Sequence, residues 1–294
     1  MYRRILLAVD PEGLAESALP IVGALARRSG GEVFVVGVTT TGDLPAQRAA
    51  LDAQVRQIAD ELKAAGIKAV RELREAKEGS SVPAEIVAAC RERGADLVAL
   101  GSHGRGSVGT LVQGSVGRQV LSKVDAAAVL VHSRGAAHRS LVPRPLRRIL
   151  VPVDYSEASR QAVQVAQDLA REDGATVLIL HARELVPWLQ ASYAEPLEEA
   201  QHLVERLSVG PREAGVAVKT QITEPELNAA PAIVKAADEW DADLIVLGSR
   251  RMTTLGGLFL GSVAHGVIQQ SNRPVLIAGH PAHEPIERAQ EPGR

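Results

Sequence analysis

Apolar residues fall along this chain in two alternating rhythms. Short apolar-rich runs at 4–9, 32–38, 68–73, 96–100 and 127–132 have the length of strands. Several are too continuously aliphatic for a half-exposed strand and suit a sheet covered on both faces. Between them the spacing changes to three and four. Ala15, Ala18, Leu19, Val22, Leu25 and Ala26 mark one helix, 44–65 carries a long helical pattern, Pro83 suits the first turn of a helix over 83–93, and another helix starts at 115–122. This βαβα order predicts an α/β fold: a parallel sheet with right-handed crossovers and helices on both faces. Ligands of such sheets sit beyond the carboxyl ends of the strands, where the strand order reverses. The informative connections are therefore those after Val9 and after Leu100.

The pattern then repeats. Arg3-Arg4-Ile5-Leu6-Leu7-Ala8-Val9-Asp10 returns 144 positions later as Arg147-Arg148-Ile149-Leu150-Val151-Pro152-Val153-Asp154. Ala95-Asp96-Leu97-Val98-Ala99-Leu100-Gly101-Ser102 returns after 147 as Ala242-Asp243-Leu244-Ile245-Val246-Leu247-Gly248-Ser249. Gly114-Ser115-Val116 returns as Gly261-Ser262-Val263, and Ala128-Val129-Leu130-Val131 as Pro274-Val275-Leu276-Ile277. A period this long is domain duplication rather than a solenoid. We expect two tandem, Rossmann-like, five-stranded parallel-sheet domains at 1–133 and 147–280, a linker at 134–146 rich in proline and arginine, and a polar tail at 281–294 that reads as disordered.

Composition narrows the function. Of 294 residues, 46% are hydrophobic and only 2% aromatic, an aliphatic balance that fits strands packed under helices. With 33 basic and 35 acidic residues there is no electrostatic case for nucleic acid or an anionic membrane as partner. Cys90 is the single cysteine, so no internal disulfide forms, and a reducing, cytoplasmic setting is expected. No run approaches the roughly 20 apolar residues of a membrane-spanning helix.

The candidate chemistry lies after the fourth strand. Gly101-Ser102-His103-Gly104 is followed, nine residues on, by Gly114-Ser115-Val116. Phosphate groups need close approach of backbone N–H groups, which glycine permits, and favour the positive end of a helix. This Gly-x2-Gly-x9-Gly-Ser spacing resembles the ATP-binding signature of the universal stress protein family, and the likeness runs from Arg3 to Ile277. The resemblance implies the adenine-nucleotide alpha hydrolase-like fold, with base and ribose lined by Ala8, Val9, Asp10, Val38 and Leu100. Gly101, Gly104, Gly114, Ser115 and Val116 would hold ribose and phosphates, and Mg would accompany the phosphates of ATP. It also implies a stress-response role and pairing through the fifth-strand edges, 127–132 and 275–278, as an intramolecular pseudo-dimer from which a homodimer of tandem chains would assemble. Asp10 has a second reading, as the cap of the following helix. Ser115 can be an N-cap, a phosphate contact or both.

The second copy reads Gly248-Ser249-Arg250-Arg251, with Arg251 where the first copy has Gly104. A side chain there crowds a phosphate, and a positive φ would strain it. The second site is expected to be degenerate, with Pro152, Val153, Asp154, Gly248, Gly261 and Ser262 as its residues should it bind. Two further motifs are decoys. Gly104-Arg105-Gly106-Ser107-Val108-Gly109 fits G-x-G-x-x-G but follows the fourth strand, not the first. Residues 101–107 lack the lysine of a hydrolysing P-loop. Cys90 reads as core, and His103, His280 and His283 as solvated. The expected function is an ATP-binding stress regulator. The alternatives are a slow ATPase or nucleotidyl- or phosphoryl-transfer enzyme, and a partner-binding module with a vestigial site.

Overall fold

The computed structural model describes residues 2–103, 115–133, 145–186, 193–251, 258–259 and 261–279. Gly104, Gly114, residues 134–144 of the linker and the tail from 280 lie outside these.

In the first half, β1 (Arg4–Val9), β2 (Glu32–Thr40), β3 (Lys68–Ala76), β4 (Leu97–His103) and β5 (Ala127–Ser133) alternate with α1 (Leu19–Ser29), α2 (Pro45–Ala64), α3 (Val82–Arg93) and α4 (Ser115–Leu121). The second half contains β6 (Arg148–Pro152), α5 (Glu157–Asp173), β7 (Thr176–His181), a small hairpin of β8 (Leu185–Val186) and β9 (Tyr193–Ala194), and α6 (Leu197–Glu213). It continues with β10 (Ala217–Ile222), α7 (Ala229–Glu239), β11 (Leu244–Gly248), the short pair β12 (Arg250–Arg251) and β13 (Leu258–Phe259), α8 (Ser262–Gln270) and β14 (Val275–Ala278).

Ten strands form one sheet in the order β10-β7-β6-β11-β14-β5-β4-β1-β2-β3. In this sheet the pairings inside each half are parallel, while the small pairs β8–β9 and β12–β13 are antiparallel. The halves join where β14 meets β5 antiparallel, Leu276 opposite Val129. The two fifth-strand edges thus cover each other, removing two apolar edges from water. The outer strand β3 carries Arg71, Glu72, Arg74 and Glu75 along its length, charges that deter further edge pairing.

Alternate residues of the strands feed two cores. Ile5, Leu7, Val9, Val33 and Val35 pack with α1 and α2. Leu6, Ala8, Phe34, Val98 and Leu100 pack with α3 and α4. Cys90 is buried in this second core, where desolvation pushes its thiol up to about 12.

One helix departs from its sequence pattern. The helical spacing begins at Ala15, yet Leu14–Ala18 is a 3₁₀ turn and α1 starts only at Leu19. Pro20 has no N–H to give a carbonyl four residues back, so the α-helix must start beside it. The corresponding position in the repeat is Gln164, inside the unbroken α5.

Candidate functional site

Strand order in the first half runs β3-β2-β1-β4-β5. The chain leaves β1 toward one side of the sheet and returns on the other, so the switch point lies between β1 and β4. Asp10 and Gly101 stand there. Ala8 pairs in register with Leu100 across β4 and with Val36 across β2. Ala8, Val38 and Leu100 share one face, that of α3 and α4, and are buried. Val9 points to the opposite core, so of these apolar residues it stands apart. Val116, in the first turn of α4, packs half-buried against the same core as Ala8 and Leu100. Ser115 begins α4, as the motif predicts.

Gly101 has a structural demand of its own. A Cβ there would stand 2.2 Å from the Leu14 carbonyl oxygen and 2.7 Å from the Ala15 nitrogen. Gly248 repeats this, with the Ala158 carbonyl oxygen at 2.3 Å. Both glycines are therefore required by the strand's contact with the segment after the first strand, with or without phosphate. This explains why the second half keeps Gly248 beside an altered loop.

Asp10 ties down the turn that leads from β1 into the 3₁₀ segment, whose N-cap is Gly13. Its Oδ1 accepts from the amides of Glu12 at 2.9 Å and Leu14 at 3.2 Å, and Oδ2 from Ala15 at 3.0 Å. Three of a carboxylate's roughly four lone-pair directions are thereby used. A neighbouring cluster that the motif reading missed fixes the exit of β2. Asp43 accepts from the Thr40 amide and hydroxyl, each at 2.7 Å, and these bonds hold its carboxyl below the usual range. Arg48 Nη2 donates to the Thr40 carbonyl at 2.7 Å and pairs with Glu75 at 2.9 Å.

His132 was not singled out either. It is buried at the end of β5, opposite Ser102 of β4. Among the described residues its Nδ1 has no hydrogen-bond partner, and desolvation holds the imidazole below its usual range. The single signal in the sequence was a histidine closing an apolar run.

In the second half, Pro152 ends β6, Val153 is buried and Gly248 ends β11. Gly261 takes the extended N-cap position of α8, where among the described residues nothing stands within 4 Å of a Cβ, and Ser262 is exposed. Arg251 does not take the positive φ that would strain it. Arg251 is paired in an extended strand with Leu258, and among the described residues only Asp241 is a non-glycine with positive φ.

Among the described residues, no three His, Cys, Asp or Glu side chains converge as a metal site. No helix of the described residues is long and apolar enough to cross a membrane.

The fold defines a duplicated α/β protein whose first half has its strand-order switch between β1 and β4. The model of the universal stress protein family matches residues 1–132 and 145–279, and the chain belongs to that family. Universal stress protein Rv2005c of Mycobacterium tuberculosis is 29% identical over 189 residues, 63% of this chain. The match spans 62% of that relative's length. Universal stress protein MJ0531 of Methanocaldococcus jannaschii is 32% identical over 148 residues, 47% of this chain and 85% of that protein. A universal stress protein from Archaeoglobus fulgidus has the same fold, with a TM-score of 0.70 at 22% identity over 94% of this chain and 97% of that one.

Proposed function

We propose that this protein is an adenine-nucleotide-binding regulator that holds ATP with Mg in its first half. The observation that carries the reading is the convergence of Ala8, Val38 and Leu100 on one face at the switch point. Gly101 lies on the strand that leads, through the glycine-bearing connection, to the start of α4. An apolar wall suits a purine face, and a glycine-bearing approach to a helix N-terminus suits phosphates. Asp10, engaged by three backbone amides, acts in this reading as the rigid floor of the cleft rather than as a catalytic base. The reading is therefore of binding, and of a stress-linked signal conveyed by occupancy.

Isothermal titration of the nucleotide-stripped protein with Mg-ATP tests it. The expected stoichiometry is near one, abolished by Gly104→Arg, which copies Arg251 of the repeat. A stoichiometry near two, or unchanged affinity in Gly104→Arg, rejects the assignment. Steady phosphate release that Asp10→Ala abolishes would convert the reading to a slow ATPase.

A further inference from the structure

The halves differ at the carboxyl ends of their first two strands. His181 closes β7 and is buried. Its Nδ1 lies 2.8 Å from the Val153 carbonyl oxygen. A carbonyl oxygen can only accept, so Nδ1 carries the hydrogen. Nε2 lies 2.6 Å from Oε2 of Glu195, and the other oxygen of Glu195 accepts from the Tyr155 hydroxyl. The Tyr155 ring meets the imidazole edge-on, centroids 6.0 Å apart. Arg183 Nε donates to the Glu195 carbonyl at 3.0 Å, which ties residues 183 and 195 across the hairpin between them. Alongside, Ser159 Oγ accepts from the Asp154 amide at 2.8 Å and donates to Asp154 Oδ1 at 2.6 Å.

Both imidazole nitrogens are engaged, so this constellation has no free base for catalysis. It satisfies the backbone at the end of β6: the Val153 carbonyl and the Asp154 amide are each held by a side chain of the same half. Register carries these positions to the first half. Arg4 pairs with Glu32 as Arg148 pairs with Thr176, which sets Gly37 in the place of His181, Ala15 in that of Ser159 and Pro11 in that of Tyr155. None of the three carries a polar side chain that could make the corresponding bonds.

We propose that the second half is closed by this internal clasp, with His181, Glu195, Tyr155 and Ser159 denying the carboxyl ends of β6 and β7 to an adenine nucleotide and so directing the ligand to the first half. The inference rests on the nucleotide reading above. It assigns the discrimination between the halves to these four side chains rather than to Arg251 alone.

Photolabelling of the full chain with 8-azido-ATP and Mg, followed by mass mapping of the labelled peptides, tests it. The wild-type chain should be labelled in first-half peptides only. His181→Gly combined with Ser159→Ala, which copies Gly37 and Ala15, should raise second-half labelling several-fold and leave first-half labelling unchanged. Glu195→Ala, a smaller change, should raise it in the same direction and serves where the double variant does not fold. First-half labelling alone, in wild type and in a folded variant, overturns the clasp and spares the nucleotide reading. So does equal labelling of both wild-type halves. No labelling of either half in any protein removes the nucleotide reading and the clasp with it.

Discussion

At position 101 the absence of one methyl group decides whether a strand can lie against the loop that leaves β1. The Leu14 carbonyl is backbone, 2.2 Å from where a Cβ would sit, and cannot rotate away as a side chain would. Gly101→Ala should cost roughly 1–3 kcal/mol, the usual range for overpacking, and Gly248→Ala a similar amount. Urea unfolding without nucleotide measures both. A loss seen only in the presence of ATP would mean that ligand, not packing, selects these glycines. His132 gives a second test on the same scale. Its folded-state pKa is depressed by burial, so the neutral form is favoured in the folded chain while the unfolded chain titrates near 6.5. The stability linked to this group is present above that value and drains away as pH falls below it, because only the unfolded state takes the proton readily. Melting temperatures from pH 7.5 to 5 should therefore fall less steeply in His132→Leu than in wild type. Parallel slopes would show that the imidazole titrates normally.

Elements were legible where burial alone shapes them. The central strands are continuous aliphatic runs because both faces are covered, and duplication doubled the signal, since 4–9 and 148–152 report the same strand independently. What escaped was set by groups without hydrophobic pattern. The 3₁₀ turn at Leu14–Ala18 follows from a missing proline N–H at position 20, and a heptad-like spacing of Ala15, Ala18 and Leu19 cannot reveal that. The β8–β9 hairpin is held by Glu195 and Arg183, polar residues that meet only after the chain turns. Likewise Ala8, Val38 and Leu100, proposed above as the wall of the site, were readable as strand residues, whereas the bonds that commit Asp10 to Glu12, Leu14 and Ala15 depend on loop geometry. Arg251 departs from glycine in sequence, and its backbone lies in a strand, so the condition of positive φ under which it would be strained is not met.

On the scale of the whole molecule, the two halves meet with β5 against β14 and also through the ends of α1 and α5. Arg28, in the last turn of α1, has a side chain only 7% exposed. It reaches the Asp173 carboxylate, which also accepts the Leu146 amide at 2.6 Å, and its Nε lies 3.2 Å from Glu172. Arg28 and Ser29 are the repeat counterparts of Glu172 and Asp173, so duplication was followed by charge divergence at this junction. Two identical first halves meeting this way would set arginine against arginine, and two second halves would set acid against acid. The contact therefore favours the pairing of unlike halves over that of like ones. Reversing one partner leaves a buried charge opposed rather than matched, which costs about 3–5 kcal/mol in comparable buried pairs. Arg28→Asp should show a loss of that order in urea unfolding. Arg28→Asp with Asp173→Arg should recover part of it, and only part, because arginine cannot accept the Leu146 amide. A double-mutant cycle isolates the pair term. A coupling energy near zero would mean that strand pairing alone fixes the halves and that the charge divergence plays no part in it.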